Sequence, residues 1–99
     1  MEVSELVRRE VRARFVPADV ADAERLLEAT HIPFLEGPRE QRGRDRVHLA
    51  ILKLAAGNFE KFARHLALAA TDWRDLLVAA ELADEDWPEV LRTAGFPVP

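Results

Sequence analysis

The sequence predicts an all-α domain, a compact bundle or array of five or six short helices around one central apolar helix at residues 45–56. Three observations carry that prediction. Apolar residues recur at intervals of three and four, the spacing that lines up side chains on one face of a helix. No stretch keeps the strict apolar–polar alternation of a half-buried strand. Glycine and proline fall between the periodic stretches, where helices stop and start. A chain of 99 residues, 48% apolar and 32% charged, has room for one core and reads as a single domain over 1–99.

The first helix is expected at about residues 4–15. Ser4 is a suitable N-cap, and Val3, Val7, Val11 and Phe15 recur at i+4 with Leu6 beside them. Glu5–Arg9 and Glu10–Arg14 have the spacing of helical ion pairs. The result is a narrow apolar stripe on a charged rod, suited to docking on the body of the domain or on a second copy. A second helix starts near Pro17, carries Val20, Ala23, Leu26 and Leu27, and ends around Thr30. Residues 31–38 form a connector with apolar anchors. The third helix starts between Arg39 and Asp45 and runs to Ala56, with Gly57 as its stop. Its stretch VHLAILKLAA is apolar on nearly every side, which places it in the middle of the fold.

From Leu54 the chain shows a weak repeat of 14 residues: LAAGNFEKF, LAATDWRDL and LADEDWPEV. Each copy brings an Asx residue (Asn58, Asp72, Asp86) followed by an aromatic (Phe59, Trp73, Trp87). Asn and Asp are good N-caps, and Asp86 with Glu89 resembles a capping box. A helix break at 70–72 follows from this phase. The alternative is one helix from Phe59 to Ala80 with a continuous apolar stripe. The last helix, about 87–94, ends at Gly95, and Phe-Pro-Val-Pro tucks down as an extended tail.

Composition excludes several classes of function. Cysteine is absent, which removes disulfides, thiolate chemistry and Cys-ligated metals. Tyrosine is absent as well, and Ser4 is the only serine. Runs free of Asp, Glu, Lys and Arg reach seven residues, against the roughly 20 that a membrane helix needs. Glu2 and Glu5 precede Arg8 and Arg9 with no apolar block, the wrong order for a secretory signal, so a cytoplasmic setting is expected. Twelve Arg against two Lys, with sixteen Ala, point to a GC-rich bacterial genome.

Charge alternates by block: +1 over 1–14, −4 over 15–36, +4 over 37–65 and −5 over 66–99. The favoured reading packs the basic middle between its acidic neighbours, with Arg39, Arg42, Arg44 and Arg46 paired to segment 15–36. The same four arginines are also a candidate basic face for an acidic partner. His31, His48 and His65 are spaced by 17, without the i, i+3 or i, i+4 pair of a metal site, and read as partly buried, singly hydrogen-bonded side chains. Asp72, Asp75, Glu81, Asp84, Glu85, Asp86 and Glu89 sit mostly in first helical turns, where acids stabilise the dipole. Trp73 and Trp87 share their phase with Phe59 and read as core or inter-helix contacts rather than interface anchors.

Two resemblances complete the reading. Residues 57–77 resemble in outline the helix-turn-helix of small bacterial DNA-binding proteins of the Fis type, through Gly57-Asn58, Ala63-Arg64, Leu66 and Thr71. Ala67 stands where that pattern has its turn glycine, and Asp72 and Asp75 make the recognition helix acidic, which repels phosphate. Residues 45–83, RVHLAILKLAAG…DWRDLL, look like a family of short uncharacterised bacterial helical proteins. That resemblance implies a helical fold in the bacterial cytoplasm and has no known activity attached to it. The expected function is therefore a small non-enzymatic protein-interaction module with no cofactor, metal or catalytic residue. Its partner is an unknown protein or a second copy in a homodimer, met through Val3, Leu6, Val7, Val11, Arg39, Arg42, Arg44 and Arg46. The alternative is a nucleic-acid-binding helix-turn-helix protein.

Overall fold

The computed structural model describes residues 2–33 and 41–99. Among them it contains five helices and no strand: α1 (Glu5–Arg14), α2 (Pro17–Ala29), α3 (Gln41–Ala55), α4 (Phe59–Ala79) and α5 (Trp87–Thr93). Residues 34–38 of the connector, and Arg39, lie outside the described residues.

Ser4 caps α1 by accepting a hydrogen bond from the Val7 amide at 3.3 Å. The stripe of α1 is core: Val3 and Phe15 are 5% exposed, Val7 and Val11 not at all. It docks on the body of its own chain, against α2 and α3. Pro17 opens α2, which buries Ala23 and Leu27, and Ile32 anchors the chain just beyond it. In α3 six consecutive residues, Val47 to Leu52, are buried. A helix closed on all sides is the centre of the fold, as its sequence predicts.

The turn after α3 depends on glycine twice over. Gly57 has φ +78°, and a Cβ there would lie 2.8 Å from the Arg14 carbonyl oxygen. Backbone contact this close brings the end of α1 onto the start of α4. Phe15 then meets Phe59 and Phe62 edge-on at 6.4 and 5.3 Å. Arg14 extends the contact, stacking on Phe96 at 3.6 Å and donating to the Gly95 carbonyl at 3.2 Å.

The 14-residue repeat predicts its first two caps correctly. The Asn58 side chain accepts from the Lys61 amide at 2.9 Å, and Asp72 accepts from the Asp75 amide at 3.1 Å. Asp72 leaves helical geometry altogether (φ −152°, ψ 79°), so α4 is two segments meeting at the expected position. The third cap differs. Asp86 occupies the N-cap of α5 but its side chain makes no capping bond, so the capping box with Glu89 does not form. Its φ of −79° and ψ of 8° lie outside the extended geometry that usually aims an N-cap side chain at the first-turn amides.

Helices α4 and α5 end alike. Leu82 N donates to Leu77 O and Glu81 N to Val78 O; Phe96 N donates to Leu91 O and Gly95 N to Arg92 O. Both are Schellman motifs, with a left-handed residue at the pivot. The pivot is Gly95 (φ +92°) in α5 and Glu81 (φ +63°) in α4. After Gly95 the tail folds back, with Phe96 and Val98 buried and Arg92 holding the Val98 and Pro99 carbonyls at 2.9 and 3.1 Å. No helix among the described residues is long and apolar enough to cross a membrane.

Candidate functional site

The charges of α1 and α2 are matched against each other. Arg8 pairs with Glu24 and Glu28, Arg12 with Glu5 and Glu24, Arg9 with Glu5, Arg14 with Glu10, and Arg25 with Asp22. The hydrogen bond to Glu28 raises the Arg8 pKa above its ordinary value. The two ion pairs predicted within α1, Glu5–Arg9 and Glu10–Arg14, are both formed.

The acids of α2 other than Asp19 are thus taken by α1 and by Arg25, which corrects the expected pairing of the arginine cluster with segment 15–36 for Arg42 and Arg46. Those two cover Trp87, at 4.9 and 5.7 Å from its ring. Arg46 also donates to the Leu82 and Asp84 carbonyls at 2.7 and 3.3 Å. Burial lowers its pKa, and the Asp84 charge opposes that shift. Arg44 is buried and donates to Gln41 at 2.8 Å. Farther along α3, Lys53 donates to the Ala80 carbonyl at 2.7 Å. Arg46 and Lys53 thus fasten the 80–84 turn through its backbone carbonyls.

The acidic corner keeps its charge. Among the described residues, Asp72, Asp75, Glu81, Asp84, Glu85, Asp86 and Glu89 form no ion pair, and all are exposed. Beside them Val78 is 63% exposed, a large apolar side chain left in solvent. Two hollows lie here, of about 410 and 500 Å³, sharing Glu81, Asp86 and Val90. The first extends to Lys53, Glu89, Thr93 and Ala94, and the second to Val78, Ala83 and Asp84. A surface that sets Val78, Ala83 and Val90 beside four exposed carboxylates, with Lys53 at one edge, favours cationic groups over phosphate.

The interaction residues predicted from sequence are divided by the fold. Val3, Val7 and Val11 are interior, so they present no surface. Leu6 and Arg42 do come together, in a cleft of about 390 Å³ completed by Leu49, Trp87 and Val98. The acidic corner was not singled out as a surface by the sequence, because acids at helix starts have a sufficient local explanation. The net −5 of residues 66–99 was the signal that could have found it.

The three histidines do not converge, and no group of three metal-ligating side chains occurs among the described residues. His48 departs from its expected singly bonded state: it is fully buried and neither ring nitrogen has a hydrogen-bond partner among the described residues. Burial, with neighbouring positive charge that includes Arg44, pushes its pKa down to about 4. His65, only partly buried, is shifted the same way by burial and by Arg64 and Lys61. The turn that the helix-turn-helix register requires at Ala67 is helical here, and the break comes later, at Asp72.

Compared with protein-family models, curated proteins and solved structures, the chain matches none of them.

Proposed function

We propose that this chain is a small protein-interaction module of the bacterial cytoplasm, without catalytic chemistry of its own, and that its working surface is the α4–α5 corner. One observation carries the reading. All but one of the carboxylates of α1 and α2 pair with a guanidinium, whereas Glu81, Asp84 and Asp86, which line a hollow with the exposed Val78, form no ion pair among the described residues. Like charges gathered on one surface raise the energy of the folded chain, and a complementary partner relieves that cost. Arg46 and Lys53 bind backbone carbonyls of the 80–84 turn, and Arg42 lies over Trp87.

The test is affinity capture from lysate of the native host with nuclease present, using the wild-type chain and a Glu81→Gln, Glu89→Gln variant. A nuclease-resistant protein retained by the first and lost by the second is the expected result. Capture that vanishes with nuclease, or that is indifferent to both substitutions, overturns the reading.

A further inference from the structure

The corner also specifies a class of partner. Its two hollows form one surface through Glu81, Asp86 and Val90, with Val78 and Ala83 at one end and Glu89 at the other. Resting on the interaction reading, we propose that this groove takes a basic amphipathic helical segment of a partner protein. The segment's apolar side covers Val78, Ala83 and Val90, and its Lys or Arg side chains meet Glu81, Asp86 and Glu89. Charge complementarity selects this occupant. Among the described residues none of these three carboxylates forms an ion pair, and Lys53, which lines the Glu89 end of the groove, is held by the Ala80 carbonyl, so each new ion pair is formed without breaking one seen there. Val78 supplies the apolar anchor that a purely electrostatic surface lacks.

The experiment uses the full chain, isotope-labelled for NMR, and a synthetic amphipathic Leu/Lys helix of about 14 residues, near four turns. The control peptide has the same residues rearranged so that no apolar face forms. At about 50 mM salt, where screening is modest, the amphipathic peptide is expected to bind at least about tenfold more tightly than the control. Its shifts should centre on Val78, Ala83 and Val90. Val78→Asp is the decisive variant, since it adds negative charge while removing the anchor. It is expected to weaken the amphipathic peptide at least about fivefold, with Val78→Ala as a milder second variant and circular dichroism confirming that both fold.

Equal binding of the two peptides, or binding strengthened by Val78→Asp, overturns the proposal and leaves only nonspecific attraction. Concentration-dependent shifts at Val78 and Val90 in the chain alone overturn it in favour of a second copy. If the peptide fails while a captured protein still depends on Glu81 and Glu89, the partner class falls and the interaction reading stands. If the peptide binds as expected while no protein is captured, the groove chemistry stands and the native-partner reading falls.

Discussion

In α1 and α2 every carboxylate except Asp19 has a guanidinium within reach, and the apolar stripe of α1 is closed inside the chain; at the α4–α5 corner Glu81, Asp84, Asp86 and Glu89 form no ion pair among the described residues and, with Val78, face solvent. Both regions are built from short, charged, amphipathic helices. The difference lies in neighbours: α1 and α2 bring opposite charges face to face, whereas α3 approaches the corner with cations that cap carbonyls. A sequence rich in charge can therefore make one end of a small domain self-contained and the other end receptive.

The largest expected effect falls on the closed side. Val11→Asp buries a carboxylate at a position with no exposure, among apolar neighbours, and should cost about 4 kcal/mol or more. Urea denaturation checks it. A loss below about 1 kcal/mol would show that the α1 face tolerates water and is not closed at all.

His48 gives the closed side a pH dependence. Unfolded, its imidazole binds a proton near the ordinary value of 6.5; folded, only near 4. The unfolded state therefore holds more protons between those values. Stability from this group is fully present above about pH 6.5 and is lost as pH falls towards 4, up to about 3 kcal/mol. His48→Leu removes the buried polar ring and should flatten this part of the profile, with stability at pH 7 unchanged or raised. Parallel profiles for wild type and variant between pH 4 and 6.5 would sink the assignment.

At the open corner the effect is smaller and of opposite sign. Glu81 holds a left-handed φ of +63° at the pivot where Gly95 serves the same motif. Glu81→Gly should stabilise the chain by about 0.5–1 kcal/mol, read from thermal unfolding, since glycine adopts this conformation without the Cβ penalty. The same change removes a carboxylate from the groove and should weaken the basic peptide. A stability gain with peptide binding intact would separate the Glu81 backbone role from its charge and remove it from the docking surface.

Much of the fold was legible because its signals are local. The cap at Ser4, the start at Pro17, the stop at Gly57 and the break at Asp72 each follow from one residue's hydrogen-bonding or dihedral preferences. The six-residue buried run in α3 was equally visible, since a helix apolar on all sides has nowhere to go but the centre. The end of α4 was hidden by its chemistry: a glutamate at a left-handed pivot carries none of the signal that glycine does. The failed capping box at Asp86 is the reverse case, with the right residues and the wrong backbone.

Helix positions and the identity of the central helix were thus determined by the sequence itself, because hydrogen bonding within four residues and the periodicity of apolar side chains need no knowledge of the rest of the chain. The tertiary structure alone decided three other matters: that the α1 stripe is buried in its own body, that His48 has no hydrogen-bond partner among the described residues, and that the acids of residues 66–99 keep their charge. Each is a question of which distant groups come within a few ångströms. Burial and Coulombic pairing act across space, and a net charge per segment does not say which face it meets.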